Sequence, residues 1–325
     1  MEQNIKSRVV GVDISVKRTT FAIVDIRGNI LARDNFPTNE YSNVNDFVTT
    51  LSERIIMLTE ENGGYDKIRS IGVSAPSANF LTGCIENPPN LPWKGTIPLA
   101  ALLRDRMGIA VAVANDGHVT ALGEHTYGSA HGMKNFIIIT LGHGIGSCIF
   151  SNGEVHFGVN GFAGEIGHAC IRHNGRDCGC GRKGCLEAYC AEKGIIATAQ
   201  ELMAASDEPS LMRSLEELSP RTIVDCCEKG DKMAIEVFRF TGERLGNAIA
   251  AYATLLNPEA IIFTGGIANA GHWLFDAVEK AFDEHLFHNI RGHVRLLRSS
   301  IDDRERDVMG ASALAWGIKE YSLFK

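Results

Sequence analysis

Four cysteines and two histidines crowd one short stretch, GEIGHACIRHNGRDCGCGRKGCLE, between Gly164 and Glu187. Cys178, Cys180 and Cys185 fall within eight positions, with glycines at 179, 181 and 184. Three thiolates and one imidazole make a closed tetrahedral site suited to Zn²⁺, with no position left for a reacting molecule, so such a metal would be structural. The glycines let the backbone fold tightly around one ion. His168 is the expected fourth ligand, with Cys170 and His173 as rivals. Cys84, Cys148, Cys190, Cys226 and Cys227 lack this spacing and read as packing residues.

Other chemistry gathers where predicted strands end. Asp13 precedes a tight turn in GVDISVKRTT. Turns that bring backbone close to a phosphate usually use glycine, but here Ser15 and Val16 occupy the tip, followed by Lys17 and Arg18. Asn115 and Asp116 close the strand IAVAVAND. A carboxylate there can act as a general base or as a helix N-cap. Two further glycine turns follow, LGHGIG with Gly142, His143 and Gly144, and TGG with Gly265 and Gly266.

The elements that must position these residues are legible in part. Val9–Val12, Phe21–Val24 and Ile30–Ala32 predict an antiparallel meander around the first turn. Residues 43–63 carry Val44, Phe47, Val48, Leu51 and Ile55 at helical spacing. IPLAALLRDRMG predicts a helix stopped by Gly108. NFIIITLGHGIGSCIF repeats the strand–turn–strand layout of the N-terminus. Beyond the cysteines the chain is mostly helical, then offers EAIIFTGG, a late strand VRLLRSS and a final helix from Met309. Strands alternating with helices around two similar strand–turn–strand units indicate an α/β protein in two halves.

Bulk properties narrow the function. The 325 residues leave room for two domains, and the 45% hydrophobic and 22% charged content is that of a globular protein. A net charge of −7 argues against a nucleic-acid face as the main feature. No apolar run predicts a membrane span and no signal peptide is legible, so a cytoplasmic location without structural disulfides is expected.

In order along the chain, AND, LGHGIG, GEIGH, CGCGRKGCLE and TGGIANAG resemble the motifs of the ROK family of repressors and sugar kinases, over residues 9–316. The resemblance implies an actin-like, ribonuclease-H-like α/β ATPase fold of two lobes around a central cleft. Residues 1–114 plus 306–325 would form the small lobe, and 115–305 the large lobe with the zinc loop. It implies ATP- and Mg²⁺-dependent phosphorylation of a hexose, a glucose-type sugar or an N-acetylhexosamine, at the 6-hydroxyl. Asp116 matches the family's general base. Asn90, Asn115, Asp116, Glu165, His168 and Glu187 match positions that hold the sugar. Asp13, Ser15, Lys17, Gly142, His143, Gly144, Gly265 and Gly266 match those around the nucleotide and its Mg²⁺. The first turn departs from the family's acid, any residue, two glycines and threonine: Ser15, Val16 and Lys17 stand in for the last three. His143 replaces the family's usual threonine. The resemblance also implies a dimer or tetramer without nucleic-acid or membrane partners, and no winged helix is legible ahead of the first strand. A sugar-binding regulator without catalysis is the alternative.

Overall fold

The computed structural model describes residues 6–318. The strands, in chain order, are β1 (Arg8–Ile14), β2 (Arg18–Asp25), β3 (Ile30–Pro37), β4 (Ile68–Ser74), β5 (Ala78–Asn79), β6 (Cys84–Glu86) and β7 (Thr96–Ile97). They continue with β8 (Ala110–Ala114), β9 (Phe136–Leu141), β10 (Ile145–Ser151), β11 (Glu154–Val155), β12 (Ala260–Thr264) and β13 (Arg295–Arg298). The helices are α1 (Val44–Glu61), α2 (Leu99–Met107), α3 (Asp116–Tyr127), α4 (Glu187–Cys190) and α5 (Glu192–Ala205). After them come α6 (Pro220–Glu228), α7 (Lys232–Leu256), α8 (His272–His285) and α9 (Arg306–Trp316).

The chain forms two compact units. One holds residues up to Gly132, Phe157–Phe162 and the chain from Ser300; the other holds Met133–His156 and Ala163–Ser299. Each is built on a five-stranded sheet, ordered β3-β2-β1-β4-β8 in the first and β11-β10-β9-β12-β13 in the second. The two orders describe one topology. In each, an antiparallel meander of three strands is extended by two strands that run parallel to its first. The repeated strand–turn–strand signal in the sequence is therefore a repeated sheet.

Burial explains the rest of the first unit. Phe47, Val48, Leu51 and Ile55 of α1 pack with Val10, Val12, Ile71 and Val73 on one face of its sheet. Asn43 caps α1 by accepting from Asn45 N, and Gly108 ends α2 in the left-handed conformation at φ 66°. Trp93 is buried and donates Nε1 to the carbonyl of Tyr41 at 3.0 Å, a packing role. On the other face Val308, Met309 and Ala315 of α9 pack on Val9, Ala22 and Val24. That contact requires Gly11, because a Cβ there would lie 2.3 Å from the Val308 carbonyl oxygen.

The units divide the chain elsewhere than the lobes expected at 114/115 and 305/306. Helix α3 belongs with the first unit, because it packs closely along α9: a Cβ on Gly123 would stand 3.0 Å from Gly310 Cα. In the second unit the core joins β9 and β12 to α5, α7 and α8, and Cys190, Cys226 and Cys227 are buried in it. Among the described residues no helix is long and apolar enough to cross a membrane.

Candidate functional site

Asp116 heads α3 in the first unit, and Asn115 just before it is the N-cap, its Oδ1 accepting from His118 N at 2.8 Å. Asp116 Oδ1 accepts from Gly117 N at 2.9 Å. The cap of this helix is thus Asn115 rather than Asp116. Asp116 keeps solvent-accessible surface, yet the protein mass around it, and then the charge of Asp307, hold its pKa above the usual carboxylate range. Asp13 lies near the C-terminal end of β1. Burial, then Asp307, then Asp116 push its carboxyl up to about 8. Arg306 opposes that rise, as does Ser74, whose buried hydroxyl makes no well-formed hydrogen bond.

The β1–β2 turn is tied to itself. Ser15 N donates to the Arg18 carbonyl at 3.0 Å, and Ser15 Oγ donates to the same oxygen at 2.8 Å. None of residues 15–18 has positive φ, so Val16 is accommodated without strain, at the tip of an ordinary hairpin. Lys17 and Val16 are exposed. Thr19 is buried and bonded to Thr38 at 2.8 Å. Asn90 is exposed in the loop after β6.

In the second unit, two loops far apart in sequence meet. Gly142, His143, Gly266 and Asn269 line one cavity of about 680 Å³, closed on another side by Ser219 and Arg221. A drug-sized or nucleotide-sized molecule needs a few hundred Å³ or more. Gly265 turns the chain out of β12 at φ 92°, and a Cβ there would meet the Leu141 carbonyl oxygen at 2.4 Å. Gly266 has open space where its Cβ would be. The Gly142–Gly144 turn closes by a backbone bond from Gly142 N to Gly144 O at 3.0 Å. His143 projects its ring into solvent and pairs through Nδ1 with Glu192. The Ser219 wall carries a capping box with Thr222 and Pro220 in the first turn of α6.

His168, Cys178, Cys180 and Cys185 bring their donor atoms within 4.8 Å of one another. His168 presents Nδ1, 3.7 Å from Cys178 Sγ, and Cys180 Sγ lies 3.7 Å from Cys185 Sγ. Of the three candidates for fourth ligand, His168 is the one in this group, and Cys170 is exposed beside it. The thiols differ: the backbone N–H and then the side chain of Arg182 bring Cys180 down to about 6, while burial and the neighbouring thiols push Cys185 up to about 12. Glu187 ties the cluster to the glycine turn. Its Oε2 accepts from Ile145 N at 2.9 Å and its Oε1 lies 3.7 Å from Cys178 Sγ. Glu165 precedes the short 3-10 turn Ile166–His168, which Ser147 Oγ anchors by accepting from Ile166 N at 3.1 Å.

Sequence reasoning passed over Ser74, Arg306, Asp307 and the Ser219–Arg221 wall. The capping pattern SPRT was readable but carries no nucleotide signal. Asp307 joins the site only through the packing of α9 on β1.

A model described as ROK family matches residues 9–317. The chain is 33% identical over 283 residues to a glucokinase of Halalkalibacterium halodurans, with 84% of each chain covered. It is 28% identical over 306 residues to the Escherichia coli DNA-binding transcriptional dual regulator NagC, covering 94% of this chain and 74% of that one. A ROK family glucokinase from Streptomyces griseus, solved in complex with glucose and AMPPNP, superposes with a TM-score of 0.76 at 27% identity, covering 95% of this chain and 99% of that one.

Proposed function

We infer that this chain, which belongs to the ROK family and is a sugar kinase of the actin-like fold, transfers the γ-phosphoryl group of ATP to the 6-hydroxyl of a hexose with Asp116 as general base. The observation that carries this reading is the pairing of Asp116 with Asp13 in one electrostatic neighbourhood at the ends of β8 and β1. A base raised above the ordinary carboxylate range is better matched to a sugar hydroxyl. The Asp116 carboxylate takes the O6 proton as O6 bonds to the γ-phosphorus. The bond from that phosphorus to the β–γ bridging oxygen breaks, and ADP leaves.

The cavity between the Gly142 and Gly266 turns accepts the nucleotide, with backbone N–H groups toward phosphate. Mg²⁺ accompanying ATP would be held on the protein side by Asp13 and neutralises phosphate charge. Asn90, Asn115, Glu165, His168 and Glu187 are assigned to the sugar. A glucose-type aldohexose is favoured by the glucokinase relatives, with an N-acetylhexosamine as the other candidate.

The four-residue cluster is assigned to structural zinc. A Zn–S bond of about 2.3 Å sets tetrahedral sulfur–sulfur separations near 3.8 Å, against the observed 3.7 Å between Cys180 and Cys185. With Nδ1 toward the metal, His168 keeps Nε2 for a sugar hydroxyl. Asp116→Asn tests the base directly. Turnover should fall by about three orders of magnitude or more, with hexose affinity by calorimetry within a few-fold of the parent. Retained turnover would remove Asp116 from that role.

A further inference from the structure

The stretch that carries the cysteine–histidine cluster folds back on itself as a short antiparallel ladder, bridged at Cys170–Cys185 and at Asp177–Lys183. Ile171 N donates to the Gly184 carbonyl at 2.8 Å, and Leu186 N donates to the Ala169 carbonyl at 3.0 Å. These two bonds flank Cys170 and Cys185, which are therefore a directly opposed pair of the non-hydrogen-bonded kind. In such a pair the Cα atoms stand about 4.5 Å apart and both side chains leave the same face of the ladder. A disulfide needs a Cα separation of about 4.4–6.8 Å. The register thus holds two cysteines in the backbone relation that a cross-strand disulfide takes.

The two thiols have different surroundings. Cys185 is buried, with its Sγ 3.7 Å from Cys180 Sγ inside the group assigned to zinc. Cys170 is exposed and stands outside that group. Its Sγ lies over Gly184, at φ 77°, where a Cβ would come within 3.2 Å of the sulfur. A side chain at 184 would crowd the sulfur of Cys170; glycine leaves it room beside the opposed cysteine. An accessible thiol next to a second cysteine that can resolve its oxidised form is the arrangement of redox-sensing sites.

We propose that Cys170 and Cys185 form a peroxide-sensitive thiol–disulfide switch that expels the structural zinc. The Cys170 sulfur attacks one oxygen of hydrogen peroxide. The S–O bond forms, the O–O bond breaks, and the second oxygen leaves as water with the thiol proton. The Cys185 thiolate then leaves the metal and attacks the Cys170 sulfenic acid. The S–S bond forms, the S–O bond breaks, and the hydroxyl leaves as water with a proton from solvent. Two cysteines are oxidised to one disulfide and the peroxide is reduced to two waters. His168, Cys178 and Cys180 remain as an incomplete ligand set, and the metal is released. Glu187, two residues beyond Cys185, then loses the support that lets it hold Ile145 N. Zinc release rests on the metal assignment above, and any loss of turnover rests on the kinase reading; the disulfide rests on neither.

The test treats the full chain, purified with its metal, with hydrogen peroxide. Zinc release is followed with a colorimetric chelator, and disulfides are mapped by mass spectrometry of unreduced peptides. Release of about one zinc per chain, in step with a Cys170–Cys185 linkage, is expected, and dithiothreitol with added zinc should reverse both. Cys170→Ser should hold zinc and turn over as the parent does, yet release the metal about tenfold more slowly or less. Cys84→Ser removes a partly exposed thiol outside the ladder and should release zinc at the parent rate. No linkage at excess peroxide, a linkage that leaves Cys170 reduced, or parent-rate release from Cys170→Ser would overturn the proposal. A Cys170→Ser protein that no longer holds zinc would also overturn it, by making Cys170 a ligand. The Cys170–Cys185 linkage in protein that never carried zinc would overturn the metal assignment alone. The complete switch in a protein that transfers no phosphate would overturn the kinase reading alone.

Discussion

The β1–β2 and β9–β10 turns occupy the same place in two sheets of identical topology, yet they are built by different chemistry. The first is closed by Ser15, whose backbone and hydroxyl both bond the Arg18 carbonyl. The second is closed by a backbone bond between Gly142 and Gly144 and opens onto a cavity. A turn without side chains can bring its N–H groups against phosphate. A turn carrying Val16 and Lys17 can offer phosphate a mobile point charge instead. The second turn is also propped from behind, by Glu187 and the cysteine–histidine cluster, whereas the first is held by Thr38, just after β3, whose N donates to Lys17 O at 3.1 Å.

The comparison breaks most severely at the cluster. Cys180→Ser should lower bound zinc from about one per chain toward zero and reduce kcat/KM for sugar by roughly 100-fold or more, because metal binding and loop folding are coupled. Metal analysis and steady-state kinetics would read both. A variant that loses zinc but keeps sugar affinity would cut the link drawn through Glu187. Next in size is Lys17→Ala. Loss of a charge-assisted contact of about 1.5–3 kcal/mol predicts a roughly 10- to 150-fold fall in kcat/KM for ATP with sugar affinity unchanged. His143→Ala, on the backbone-built turn, should cost no more than a few-fold; the reverse ranking of these two would invert the comparison.

The smallest effect is on stability. Asp13 is raised to about 8 from 3.8, so the folded chain holds a proton that the unfolded chain releases. The stability linked to that proton is complete below about pH 4 and is lost as pH rises through about 8. In magnesium-free buffer Asp13→Asn should therefore melt a few degrees above the parent near pH 9, with the gap narrowing at pH 5. An equal gap at both pH values would show that Asp13 is not the group titrating.

Local rules made much of this legible. The Gly108 stop and the apolar runs of β1 and β2 are short-range signals, and Cys178, Cys180 and Cys185 stood out because their spacing is local in sequence. The choice of His168 over Cys170 and His173 depended on how the 3-10 turn aims a ring. Asp307 and Ser74 were illegible because no spacing relates residues on α9, β4 and β1; they meet through packing at Gly11 and a parallel register. The grouping of α3 with the first unit likewise follows from the close α3–α9 crossing, which the strand-end motif at Asp116 gives no hint of.

The central claim is that the β1–β2 turn, although rebuilt without glycine, still serves a working kinase. ADP release measured by a coupled assay, with ATP and Mg²⁺ across a panel of hexoses and N-acetylhexosamines, tests it most directly. Turnover on at least one sugar, abolished by Asp116→Asn, is the predicted result. Calorimetric binding of a hexose with no phosphoryl transfer from ATP to any sugar in the panel would contradict it and leave a sugar-binding regulator in its place.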